Sequence, residues 1–268
     1  MAAVEAASCR PRRVLVVGAT SAIGAAICRI LAPRGWVLIL TGRDPSRLDS
    51  LANEIMSLGT TTHTMALDVA DAAAVDGCVR RAVELAGGEL DGAIICHGWS
   101  PPERDRKLEP DEIRMVFDVN LTSAAVILSA VAATLPARGF RESPSSPPHP
   151  GGFLAVISSV AGDRGRPGNF TYGAAKAGLT AYASGLRARM HRRGISVLTV
   201  KPGYVDSPML RGLGVRRSAI VADPRQVARD IVRAIDAHGD ILYTPWWWRW
   251  VLCAVRLLPE AIFKRLDT

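Results

Sequence analysis

Tyr172 and Lys176 stand four residues apart in Tyr-Gly-Ala-Ala-Lys, a spacing that puts both side chains on one face of a helix. A phenol beside an ammonium is a proton-transfer pair. The phenol gives or takes the proton, and the cation is expected to lower its pKa from the ordinary value near 10. Ser159, upstream in Ile-Ser-Ser-Val-Ala-Gly, adds a hydroxyl that can hold a substrate oxygen. Alone the pair is weak, because such spacings arise by chance in many helices. Proton transfer at a carbonyl also needs a hydride source, so the rest of the chain must supply one.

The elements that could do so begin near the N-terminus. Gly18-Ala-Thr20-Ser21-Ala22-Ile23-Gly24 follows an apolar run at 14–17 and opens a helical pattern. Gly18 suits a tight turn and Gly24 close helix–strand packing, with free amides at the helix start facing a pyrophosphate. The second strand ends in Thr41-Gly42-Arg43-Asp44. An acidic residue there would bond the ribose hydroxyls of NAD(H); Arg43 would instead pair with a 2′-phosphate. Asp44 reads as the N-cap of the next helix, so the reading is NADP(H), with NAD(H) as the alternative. Asp68, closing the third strand beside Val69, is a candidate for the adenine amino group or a plain turn residue.

Apolar strands at 14–17, 37–40, 64–67, 93–96, 153–157, 197–200 and 241–243 alternate with helical patterns at 22–32, 45–58, 72–86, 113–135, 171–191 and 224–237. That alternation predicts right-handed crossovers and a parallel sheet covered on both faces. The fold class is α/β, a doubly wound sheet in one domain spanning 13–244. Residues 1–12 read as a loose arm, 136–152 as a Pro-rich surface insertion, and 245–268 as a separate tail.

Composition narrows the rest. The 268 residues carry a net charge of +8, mostly through arginine, without the clustered stripe of a nucleic-acid binder. The cysteines Cys9, Cys28, Cys78, Cys96 and Cys253 have no metal or disulfide spacing. No metal site is expected. Reduced thiols, no apolar leader and no run of 18 uncharged apolar residues imply a cytoplasmic protein.

Together these residues resemble the short-chain dehydrogenase/reductase family. Gly18 and Gly24 match its glycine motif, with Val17 and Ala22 standing where that motif has threonine and glycine. Cys96-His97-Gly98 takes the place of its Asn-Ala-Gly. The resemblance implies Asn120, Ser159, Tyr172 and Lys176 as the catalytic group, Ser158 ranking behind Ser159. It also implies that Pro202-Gly203-Tyr-Val205-Asp-Ser207 reaches the nicotinamide amide, that Lys176 bonds the nicotinamide ribose, and that Asn120 keeps a water for proton relay. A homodimer or homotetramer is implied as well.

The tail reads Thr244-Pro-Trp-Trp-Trp-Arg-Trp and continues to Arg-Leu-Leu-Pro-Glu-Ala-Ile-Phe-Lys. If Pro259 only bends one helix, Arg249, Arg256, Glu260, Lys264 and Asp267 share a face and the remainder is apolar. Such a segment either lies in a membrane interface, here the inner leaflet, or packs on its own domain. The tail and Cys96-His97-Gly98 are similar to the decaprenylphosphoryl-2-keto-erythropentose reductase group, which implies a lipid-linked keto-sugar substrate. A reductase or alcohol dehydrogenase for a small or steroid-like apolar molecule is the alternative, and a non-catalytic dinucleotide sensor the third reading.

Overall fold

The computed structural model of the chain describes residues 11–103, 106–137, 151–212 and 220–265. Seven strands form one sheet: β1 (Arg13–Val17), β2 (Val37–Gly42), β3 (Thr61–Ala66), β4 (Gly92–Ile95), β5 (Phe153–Ile157), β6 (Ser196–Pro202) and β7 (Ile241–Thr244). They lie in the order β3-β2-β1-β4-β5-β6-β7, every pairing parallel. The doubly wound α/β expectation is met. The order reverses between β1 and β4, and in such sheets the crevice beyond the strand C-termini at that switch is where ligands bind.

Alternation along β1 shows why both faces are covered. Val14 and Val16 join a core with α1 (Ala22–Leu31), α2 (Pro45–Met56) and α8 (Pro224–Asp236). Leu15 and Val17 point the other way, into a core with α3 (Ala72–Leu85), α5 (Ser123–Thr134) and α6 (Phe170–His191). All four side chains are buried, as a strand between two helical layers requires.

The long helix expected at 113–135 begins earlier, at α4 (Pro110–Phe117), where Glu109 and Glu112 form a capping box. It passes through a π turn at Asp118–Thr122 into α5. By length and composition Pro110–Thr134 could cross a membrane, but half of its apolar window is buried in this domain. It is a core helix. β3 runs 61–66 rather than 64–67; its polar start hid it from a reading based on apolar runs. A short α7 (Pro208–Gly212) follows β6. The tail forms two helices, α9 (Trp248–Leu257) and α10 (Glu260–Phe263), because Pro259 ends the first path rather than bending it. Residues 1–10 of the arm and 138–150 of the insertion lie outside the described residues.

Phe153 is the largest fully buried side chain and lies against β4 at Gly92, where a Cβ would come 2.5 Å from its ring. Gly92→Val is therefore expected to overpack the sheet centre and cost about 1–3 kcal/mol. Denaturant unfolding should show a lower midpoint with unchanged slope; an unchanged midpoint would contradict this packing.

Candidate active site

The turn after β1 is built for close approach. Gly18 has φ +75°, and a Cβ there would sit 2.8 Å from the His97 backbone nitrogen. A Cβ on Gly24 would sit 2.5 Å from the Gly18 carbonyl. Ser21 caps α1, its hydroxyl accepting from the Gly24 amide at 3.0 Å. The amides of Ala22 and Ile23 are in the first turn, where no intrahelical acceptor exists. The Thr41 hydroxyl near the end of β2 and Nδ1 of His97 just past β4 are buried and have no partner among the described residues. A cradle that side chains would fill, with orphaned polar atoms beside it, fits a bound dinucleotide.

At the end of β2, Asp44 caps α2 through Oδ1. Its carboxylate accepts from the Ser46 amide and hydroxyl and the Arg47 amide at 3.0, 2.7 and 3.2 Å, which hold its pKa below the usual range. Arg43 is exposed beside it. Arg47 reaches back to donate to the Thr20 carbonyl at 3.2 Å, which puts a second guanidinium next to the glycine turn. Asp68 bonds the Ala70 amide at 3.0 Å. That is its turn-residue reading, and Val69 beside it packs on the second core.

The proton-transfer group gathers where β4, β5 and α6 meet. Lys176 is only 2% exposed, and its ammonium donates to the Ile157 carbonyl at 2.9 Å. It lies 5.7 Å from the centre of the Tyr172 ring. A Cβ on Gly98 would meet Asn120 Oδ1 at 2.9 Å, Lys176 Nζ at 3.5 Å and Met209 Cε at 3.8 Å; only a glycine lets these converge. Asn120 sits in the π turn, a distortion frequent at functional sites. Its amide donates to the carbonyls of Trp99 and Val116 at 2.6 and 2.8 Å and accepts from the Trp99 amide at 3.2 Å. Ser159 opens the turn after β5 and accepts from the Ala161 amide at 3.1 Å. Ser158 instead bonds the Lys176 carbonyl and Thr180 at 3.0 and 2.7 Å. It is a structural tie to α6.

The electrostatics correct one expectation. Burial pushes the Tyr172 phenol up to about 12, with the bond to Ser159 pulling weakly the other way. The expected lowering by Lys176 is not seen. Burial pushes Lys176 itself down to about 8, the nearby Cys96 pulling weakly the other way, so for each group desolvation is the dominant cause. Burial and the Lys176 charge also hold His97 down to about 3. His97 is therefore a neutral ring, its Nε2 3.0 Å from the Ser123 hydroxyl.

A buried staple closes the other side. Lys201, at the end of β6, pairs with Asp163, four residues past Ser159, both side chains almost fully buried. The Tyr243 hydroxyl donates to the same carboxylate at 2.7 Å. Arg164 then grips the tail: it donates to the carbonyls of Val255 and Leu258, pairs with Glu260 at 2.9 Å and lies 3.8 Å from the Phe263 ring centre. Trp248 packs on Val160 and so close to Gly203 that a Cβ there would lie 1.8 Å from its indole nitrogen.

Residues 12–217 match the family model described as short chain dehydrogenase. The chain belongs to that family. An uncharacterized oxidoreductase of Streptomyces coelicolor is 33% identical over 97% of this chain and 98% of its own. An uncharacterized oxidoreductase of Mycobacterium tuberculosis is 28% identical over 94% and 96%. Among solved structures, a short-chain dehydrogenase of Burkholderia cenocepacia in complex with NADP is 27% identical, with a TM-score of 0.74 over 87% of this chain and 95% of that one. A short-chain dehydrogenase of Sphingobium yanoikuyae in complex with NADPH shares the fold at TM-score 0.78 and 23% identity, over 96% of each.

Within this dehydrogenase the expected residues divide. Asn120, Ser159, Tyr172, Lys176 and Gly98 converge on one site, and Gly18, Thr20, Ser21, Ala22, Ile23 and Gly24 form the turn beside it. Cys96 contributes backbone only: its amide bonds the Val17 carbonyl at 2.7 Å while its side chain lies in the first core. Pro202 ends β6, and the Gly203 amide donates to the Thr244 carbonyl at 3.0 Å. Val205 bridges to Ala222, and Ser207 accepts the Leu210 amide at 3.2 Å. Arg47 and Met209 escaped the sequence reading, as did the contact of Trp248 with Gly203. Arg47 alone left a local signal, lying in the first turn of α2 three residues past its cap Asp44.

The site predicts a pH dependence. Lys176 holds its proton below about pH 8 and loses it above, while Tyr172 stays protonated to about 12. Carbonyl reduction should run level through neutral pH and fall along a one-proton limb near pH 8. A kcat profile level to pH 10 would contradict the assignment.

Proposed function

We propose that this short-chain dehydrogenase is an NADPH-dependent reductase of carbonyl groups. The convergence of Tyr172, Ser159 and the buried Lys176 beside the open glycine turn carries the reading. When bound, the nicotinamide would supply hydride to the carbonyl carbon. Tyr172 then gives its proton to the substrate oxygen, Ser159 holds that oxygen as a second donor, and Lys176 stabilises the charge left on the phenol. Asn120 fixes the π turn beside Lys176, where a proton relay would run. The choice of NADP(H) rests on Asp44 capping its own helix and on two arginines, Arg43 and Arg47, standing at the end of β2 and the start of α2. The Burkholderia relative in complex with NADP supports it.

For the substrate we infer a keto group on a lipid carrier, such as a polyprenyl-phosphate-linked sugar of the cell envelope, met at the inner face of the plasma membrane. The tail supports this. One face of α9 packs Trp248, Leu252 and Val255 on the domain. At 3.6 residues per turn, Trp250, Ala254 and Leu257 fall on the other side, with Val251 on the flank between. Trp250 and Leu257 are 64% and 79% exposed, and Trp246 and Ile262 stand out beside them. A helix docked only on its own domain needs one apolar face, and α9 has two. Arg249 and Arg256 flank the outer one, with Lys264 and Arg265 exposed nearby; aromatic rings among arginines suit an anionic lipid surface. Glu260 does not join these cations as the single-helix reading expected, since it is turned to Arg164. Asp267 lies outside the described residues.

Two experiments test these readings. NADPH oxidation by the purified protein with a panel of keto compounds should stop in Tyr172→Phe while NADPH binding persists. Replacing Arg43 and Arg47 by alanine should raise the KM for NADPH roughly ten- to hundredfold and leave NADH unaffected; equal loss for both cofactors would refute the phosphate assignment. In flotation, the full chain should rise with phosphatidylglycerol vesicles and not with phosphatidylcholine, and a Trp246→Ser, Trp250→Ser, Leu257→Ser variant should stay below. If the full chain stays below as well, the small-substrate alternative takes over.

A further inference from the structure

We propose that Glu103 is a positioning residue for Tyr172, acting through the first turn of the catalytic helix. Tyr172 is the third residue of α6, so its place depends on how that helix begins. The N-cap position is held by Asn169, whose side chain makes no capping bond. The capping comes from 68 residues upstream. The Glu103 carboxylate, 6% exposed, accepts from the Thr171 amide at 3.1 Å and from the Thr171 hydroxyl. A carboxylate at a helix N-terminus satisfies amides that have no intrahelical acceptor and complements the helix dipole.

The other end of the same segment holds Asn120. Trp99 both donates to and accepts from the Asn120 side-chain amide. Between Trp99 and Glu103 lie Ser100, Pro101 and Pro102, and two consecutive prolines fix their own φ angles and restrict the residue before them. The strap from Trp99 to Glu103 is thus short, stiff and tied at both ends. It sets the spacing between the π turn of Asn120 and the helix turn that carries Tyr172. No pattern in the sequence marks Glu103, since its partner is adjacent only in the fold.

The test combines amide hydrogen exchange with kinetics in Glu103→Ala, Glu103→Gln and Thr171→Val. In Glu103→Ala, exchange across residues 170–173 should quicken about tenfold while the central strands keep their protection. The kcat for NADPH-dependent carbonyl reduction should fall about tenfold or more, with the Kd for NADPH, read from tryptophan fluorescence, unchanged. Glu103→Gln, which keeps an acceptor for the Thr171 amide, should recover most of the kcat. Adding Thr171→Val to Glu103→Ala should bring no further loss. Unchanged exchange at 170–173, or faster exchange spread evenly over the whole chain, overturns the proposal. So does faster local exchange with an unaltered kcat. The kinetic arm rests on the carbonyl-reductase reading: a wild-type chain without any NADPH-dependent turnover refutes that reading, and the exchange arm still decides whether Glu103 orders the helix.

Discussion

The structure is organised around a positive charge kept out of water. Lys176 has its ammonium almost wholly buried, and the described contact that answers the charge directly is the Ile157 carbonyl. Burying an ammonium without a carboxylate partner is costly, and the cost shows as the downward shift of its pKa. Each neighbour makes sense as an adjustment to that charge. β5 must end at Ile157 with its carbonyl aimed at α6, Gly98 must lack a side chain so that Asn120 and Lys176 can approach, and His97 stays neutral beside it. Ser158, bonding the Lys176 carbonyl, holds the helix where its ammonium can reach β5.

The tail belongs to the same arrangement. The Asp163–Lys201–Tyr243 group ties the turn after Ser159 to the end of β6 and to the last strand. Arg164 carries that tie into α9 and α10, and Trp248 lies on Gly203 in the loop expected to meet the nicotinamide. The helices that expose Trp250 and Leu257 are therefore the ones that roof the loop. A lipid surface against the outer face would lie one helix thickness, on the order of 10 Å, from the groups that hold the loop in place.

What the sequence disclosed follows the range of the interactions involved. Strand and helix alternation is local, so the sheet could be read almost to the residue, apart from β3, whose outward face is polar at its start. The glycine turn, Ser159 and the Tyr172–Lys176 pair were legible because each is a short run with a fixed spacing. Asp44 could be read as a cap for the same reason. The electrostatic outcome could not. Whether Lys176 lowers the phenol or is itself lowered depends on how deeply both are buried, and burial is set by elements scattered from 95 to 210. Glu103, Met209 and Trp248 likewise reach the site across long stretches of chain.

The two shifts, taken together, bear on the proton-transfer step. A phenol raised to about 12 is almost entirely protonated at neutral pH, so the resting protein presents an acid ready to give a proton. Alcohol oxidation would need the phenolate, whose formation burial opposes here. The Lys176 ammonium, poised near pH 8, is still mostly charged at neutral pH and can hold the phenolate once the proton has left. An acid charged in advance beside a cation that stabilises its conjugate base is arranged to deliver a proton to an oxygen bound next to it. Taking a proton back would begin from the minor, ionised form of Tyr172, whose share grows with pH while the cation that assists it is being lost.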